Sequence, residues 1–195
     1  GCDAVYDAIC KTVIETCEEA GIKLSELTAI GGCAPGPIDS EKGIVFNTSN
    51  LGFVNYPLKE KLEESFKVPV FIANDVNAGL YGELHFGAAQ GMKNVLAISP
   101  GTGVGGAIVI NGSLYQGSNG SAGEFGHMIV QADGPLCGCG QRGCLEAIVS
   151  RTAISQQIIS FVQRGRIPLV AQELGSKFKK IKSGLIARAY NSGDE

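Results

Sequence analysis

His127, Cys137, Cys139 and Cys144 lie within residues 126–146, the run GHMIVQADGPLCGCGQRGCLE. One imidazole and three thiols make a complete tetrahedral Cys3His set for a structural Zn2+ ion. The glycines interspersed at 134, 138, 140 and 143 suit a chain that must turn around a single ion. Two other readings stay open: a disulfide loop, or three buried thiols. A C-x-C spacing leaves a bridge between the nearest pair strained, and nothing else in the sequence points to secretion.

Asn74 and Asp75 end an apolar run at 68–73, the place where open α/β sheets put their ligands. A carboxylate there can accept a proton from a substrate hydroxyl. It can equally do no more than cap the next helix by satisfying its first amides, and the pair alone does not choose between the two. The segment GTGVGG at 101–106 has G-x-G-x-G-G spacing and is followed by an extended run rather than a helix, so it is not a dinucleotide fingerprint. It lacks a Walker lysine as well. A tight hairpin at Gly101, Thr102 and Gly103 can aim backbone N–H groups and a hydroxyl at an anion such as phosphate, or hold no ligand at all. Glu124, His127 and Glu146 bracket the cysteine run. If a metal takes one nitrogen of His127, the other is fixed and protonated and can donate to a ligand hydroxyl. The two carboxylates can accept from neighbouring hydroxyls, or be ordinary surface residues.

The elements that must position these groups read as α/β. Helical spacing runs through 3–20 and stops at Gly21, which places the cysteines of this stretch toward a core. Short strands are expected at 28–33 and 43–46, with an irregular loop between them and another at NTSNLG, 47–52. A helix at 58–66 precedes the run at 68–73, expected as a buried parallel strand, and a helix over 76–86 follows. Strands are expected at 95–99, 107–110 and 114–115, with Asn111-Gly112 as a hairpin turn. Helices are expected over 145–164 and 170–190, the latter basic at 177–182. A boundary near residue 92 divides a first domain, 1–92, from a second, 93–195.

The chain has 195 residues, 44% hydrophobic and 18% charged, an ordinary globular composition. Sixteen basic against 19 acidic residues give a net charge of −3, with no electrostatic footprint for nucleic acid or an anionic membrane. No apolar run reaches the ~20 residues that span a bilayer. Seven cysteines, four of them (Cys2, Cys10, Cys17, Cys33) outside the cluster, suit a reducing cytoplasm.

Taken together and in order, APGPID, NTSNLG, FIANDVNAG, SPGTGVGGAIVING, GEFGHM and CGCGQRGCLEA resemble the ROK family of sugar kinases and sugar-responsive repressors, up to about Thr152. The resemblance implies an actin-like, hexokinase-like fold of two ribonuclease-H-type domains closing over a cleft, incomplete here at both ends. It is most similar to the ATP-dependent glucokinases of the family. By that resemblance Asp75 is the base that takes the proton from a sugar C6 hydroxyl, and Asn74, Glu124, His127 and Glu146 bind sugar hydroxyls. Gly36 and Asn50 fall in loops lining the same site, and Gly101, Thr102 and Gly103 match a second phosphate-binding hairpin. His127, Cys137, Cys139 and Cys144 match structural zinc ligands, while ATP arrives with Mg2+. A hexose and ATP are the expected partners, and a cytoplasmic homodimer is the expected form, with no membrane and no nucleic acid bound by this chain.

Family kinases open with a D-x-G-G-T hairpin, which is absent ahead of Gly1, and run on past Glu195, so the resemblance implies an internal portion of such a protein. Mannose, fructose or N-acetylmannosamine could replace glucose, since discrimination depends on pocket detail. Two further classes remain: a sugar-sensing repressor domain, which would carry a helix-turn-helix elsewhere, and a zinc-stabilised assembly module without catalysis.

Overall fold

A computed structural model of the chain describes residues 1–48, 51–118, 120–166, 170–172 and 181–193. Helix α1, Cys2–Ala20, stops at Gly21 as its spacing predicts. It lays Val5, Tyr6, Ile9 and Cys10 against a core whose most buried members are Val45, Phe53, Leu62 and Val70. The Tyr6 hydroxyl donates to the Lys61 carbonyl at 2.8 Å, tying α1 to the next helix. Of its cysteines Cys17 is buried and Cys2 and Cys10 half-buried.

Strand β1, Ile30–Ala34, is followed by β2, Ile38–Asp39, β3, Ile44–Asn47, and β4, Val54–Pro57, then α2, Leu58–Phe66, and β5, Val70–Asn74. β1 and β5 pair in parallel, with Ala34 opposite Asn74. β2, β3 and β4 form an antiparallel sheet in that order. The spacing that made 58–66 a helix buries Leu58 and Leu62 on one side. Helix α3, Asp75–Phe86, leaves the end of β5 directly. The last sheet, ordered β6-β7-β8, consists of Val95–Pro100, Val104–Ile110 and Ser113–Leu114. Asn111 and Gly112 both take positive φ (53° and 81°), as a two-residue hairpin turn requires. Leu80 of α3 packs with Ala107 and Val109 in a second apolar cluster.

The chain divides into two compact units, Gly1–Ala97 with Ala107–Gly123, and Ile98–Gly106 with Glu124–Glu195. The second contains the short helix α4, Glu146–Val149, then α5, Arg151–Gln163, and α6, Ser183–Asn191. α5 and α6 meet through Ile158, Val162, Leu185 and Ala189, with Val170 beside them. Among the described residues no helix is long and apolar enough to cross a membrane.

Four expectations need correction. The run at 68–73 is not buried throughout: Phe71 is 64% exposed between buried Val70 and Ile72, because side chains of a strand alternate between faces. The helix read over 145–164 breaks at Ser150, whose backbone is extended (φ −66°, ψ 156°) and whose Oγ accepts from the Ala153 N–H at 3.1 Å. A serine that satisfies a first-turn amide favours a new helix start over continuation. The helix read over 170–190 is interrupted too, since Lys182 is extended and Ser183–Asn191 is a helix of its own; residues 173–180 lie outside the described residues. Strands β2 and β4 escaped the sequence reading, being two and four residues long, with Asn55 of β4 at φ 46°.

Ser150→Ala removes the cap of α5 and is expected to lower stability by about 1 kcal/mol in urea denaturation.

Candidate functional site

In the first unit the site begins where β5 becomes α3. Asn74 is the N-cap: its Oδ1 accepts from the Val76 and Asn77 N–H groups at 3.0 and 3.2 Å, and its Nδ2 donates to the Gly36 carbonyl at 3.1 Å. One amide hydrogen of Asn74 is left to donate elsewhere. Asp75 is the first helical residue and is exposed. Its Oδ1 lies 3.0 Å from the Val76 N–H, which Asn74 already serves, and its Oδ2 has no partner among the described residues. Gly36, Asn74 and Asp75 therefore sit together, while Asn50 lies outside the described residues.

In the second unit the ligand atoms of His127, Cys137, Cys139 and Cys144 all lie within 4.8 Å of one another. Cys139 and Cys144 Sγ are 3.7 Å apart, and Cys137 Sγ is 3.7 Å from His127 Nδ1. A tetrahedron of Zn–S bonds of about 2.3 Å has edges of about 3.8 Å, so the donor set and its spacing suit Zn2+. All three cysteines are free thiols in this arrangement. Burial and the neighbouring Cys139 and Cys137 push the Cys144 thiol up to about 12, and burial raises that of Cys137. The Gln141 N–H lowers the exposed Cys139 thiol. Gly143 permits the ring of backbone at φ 78°, where a Cβ would run into the Gln131 carbonyl.

His127 turns Nδ1 to the thiols and Nε2 toward Glu124 Oε2, 4.0 Å away. Glu146 faces two ways. Oε2 accepts from the Val104 N–H at 2.9 Å, and Oε1 lies 3.8 Å from Cys137 Sγ. Gly103 makes room for this carboxylate, because a Cβ there would collide with Oε2. The hairpin tip is thus seated on the thiol cluster. The Gly101 N–H bonds back to the Gly103 carbonyl at 2.8 Å. Thr102 and Gly103 keep N–H groups without acceptors among the described residues, and Thr102 is exposed. Such a turn is suited to an anion.

The ROK family matches this chain over residues 2–195. The chain belongs to the ROK family. It is 47% identical over 133 residues to a glucokinase of Halalkalibacterium halodurans, covering 68% of this chain and 40% of that protein. It is also 45% identical over 132 residues to a xylose repressor of Bacillus subtilis, covering 68% of this chain and 34% of the repressor. A solved ROK glucokinase of Streptomyces griseus, in complex with glucose and AMPPNP, superposes with a TM-score of 0.81 at 34% identity, covering 98% of this chain and 61% of that one. The fold is accordingly the actin-like, hexokinase-like α/β fold of ROK sugar kinases. The chain spans 34–40% of the length of these two curated relatives.

Sequence reading missed Arg151 and Thr152. Arg151 Nη2 donates to Thr102 Oγ1 at 3.0 Å, the Arg151 N–H to the Gly101 carbonyl at 3.0 Å, and Thr152 Oγ1 to the Thr102 carbonyl at 2.8 Å. The break at Ser150 brings the first turn of α5 to the hairpin, and no motif in the sequence marks it.

Cys144→Ser is expected to lose bound metal on elemental analysis together with the rise in Tm that Zn2+ gives the metal-stripped protein; unchanged metal content would remove Cys144 from the ligand set. Because the Cys144 thiol is raised, it is protonated when metal-free at neutral pH, and binding must expel that proton. Apparent Zn2+ affinity should therefore climb with pH, by about tenfold per pH unit for each proton released, which competition with a chelator at several pH values measures.

Proposed function

We propose that the protein containing this chain transfers the γ-phosphoryl group of MgATP to the C6 hydroxyl of a hexose, with glucose the favoured acceptor. The observation that carries this reading is the division of labour at the end of β5. Asn74 performs the capping that could have explained Asp75, and Asp75 keeps a carboxylate oxygen exposed and unengaged. In the reaction, Asp75 accepts the C6 hydroxyl proton as that oxygen bonds to the γ-phosphorus. The bond from the γ-phosphorus to its bridging oxygen then breaks and ADP departs. Phosphoryl transfer asks mainly for positioning and charge stabilisation around an aimed hydroxyl.

Gly36, Asn50, Asn74, Glu124, His127 and Glu146 are assigned to sugar hydroxyls. His127 Nε2 is suited to donate and Glu124 to accept. For Glu146, Oε2 is taken by the Val104 N–H, and Oε1, 3.8 Å from Cys137 Sγ, is the oxygen assigned to a sugar hydroxyl. The hairpin Gly101, Thr102 and Gly103 is assigned to phosphate. Zn2+ on His127, Cys137, Cys139 and Cys144 supplies a cross-link that fixes this loop, and no step of the chemistry.

The likeness to a xylose repressor supports a second reading, in which the same groups sense a sugar without transferring phosphate. Asp75→Asn in the full-length protein separates the two. Under the kinase reading kcat falls by about 10²- to 10⁴-fold while glucose binding, followed by calorimetry, is retained. Activity within tenfold of the parent, taken as about 1.4 kcal/mol of barrier, would dismiss Asp75 as the base. A parent that phosphorylates none of glucose, mannose, fructose or N-acetylmannosamine, yet shifts DNA in a sugar-dependent manner, would establish the repressor.

A further inference from the structure

The neutral donors of the glycine hairpin raise a question of charge. Two N–H groups and one hydroxyl are offered at Thr102 and Gly103, and the hairpin sequence contains no lysine or arginine. The structure supplies a cation from another element. Arg151 opens α5, and its guanidinium reaches Thr102 Oγ1 at 3.0 Å.

Its placement is electrostatically unfavourable in the protein alone. A helix N-terminus is the positive end of the helix dipole and favours anions. Arg151 sits there with no acidic residue in the first turn of a 13-residue helix. Among the described residues no carboxylate lies within 4.0 Å of its guanidinium, the three ion pairs being Lys11–Glu15, Lys42–Asp39 and His127–Glu124. Nor is the guanidinium needed merely to fasten the hairpin. The Arg151 N–H on the Gly101 carbonyl and the Thr152 hydroxyl on the Thr102 carbonyl do that without a charge.

The direction of the hydrogen bond completes the argument. Because Arg151 donates to Thr102 Oγ1, the threonine proton is turned away and must be given to another acceptor. Of five guanidinium N–H groups one is used among the described residues, and the others remain for the same acceptor. A charged donor relayed through a hydroxyl, beside two open backbone N–H groups, selects a phosphate.

We propose that Arg151 is a phosphate-contacting residue of the nucleotide subsite, acting directly through its free N–H groups and through the Thr102 hydroxyl it orients. This rests on the kinase reading for the identity of the anion as MgATP.

The test uses the full-length protein and measures MgATP binding by calorimetry over a series of KCl concentrations, with glucose binding measured in parallel. Arg151→Gln should weaken MgATP by about tenfold or more and flatten the salt dependence, with glucose affinity unchanged. Arg151→Lys should recover part of the loss. Thr102→Val, which leaves the charge in place, should weaken MgATP as well, and its effect should shrink in the Arg151→Gln background because the two act as one relay. Arg151→Gln binding MgATP as tightly as the parent, with the same salt dependence, would overturn the proposal and leave the kinase reading standing. A parent that binds no MgATP at all would overturn both. If Arg151→Gln proves unfolded by circular dichroism, Thr102→Val decides: MgATP affinity equal to that of the parent overturns the relay.

Discussion

The convergence of four ligand atoms at His127, Cys137, Cys139 and Cys144 is the constraint on which the second unit depends. From Met128 to Leu145 the chain forms no helix or strand, only the isolated bridges Ile129 to Cys144 and Leu136 to Arg142. Burial does not hold this loop either, since Met128, Ile129, Val130 and Leu136 are each more than half exposed. Apart from buried Cys137 and Cys144 the segment has no ladder or apolar core of its own, so a metal on its four ligand groups would restrict it most. Chain ordering costs about 1–2 kcal/mol per residue, a sum that a metal bound by three thiolates and an imidazole can offset.

What the cluster fixes extends beyond its own loop. Cys144 is two residues from Glu146, and the Glu146 carboxylate joins the Cys137 side to the Val104 N–H. The hairpin tip is held on its other side by Arg151 and Thr152. One short stretch, 144–152, thus carries a member of the Cys3His cluster, the support of the hairpin and the cation beside it. Gly103 is the point where these demands meet: any side chain would expel the carboxylate that seats the turn.

How much of this was legible in the sequence follows from the range of the interactions. The Cys3His set was readable because ligand type and number are chemical facts independent of fold. Helices α1, α2 and α3 were readable because apolar period and Gly or Asn boundaries are local. The break at Ser150 was not, because apolar residues continue at helical spacing on both sides and only the turn of one serine hydroxyl decides the matter. Strands β2 and β4 were hidden by their brevity, and they exist through pairing with β3 rather than by any preference of their own. Arg151 was invisible for a different reason: its partner Thr102 lies 49 positions earlier, and a lone arginine inside a helical run carries no motif.

Asn74 and Asp75 show how a structure can change the weight of a residue without moving it. In the sequence Asp75 could cap α3, and a capping aspartate would need no other role. The cap is an amide, with both lone-pair directions of Oδ1 on the first-turn N–H groups and Nδ2 on the Gly36 carbonyl. That arrangement locks the rotamer of Asn74 and fixes the loop at Gly36. It also leaves the adjacent Asp75 carboxylate with one oxygen, Oδ2, unengaged among the described residues. Placing the neutral residue at the cap and the acid one position later leaves an exposed carboxylate oxygen at the start of a capped helix, the arrangement on which the proposed role of Asp75 rests.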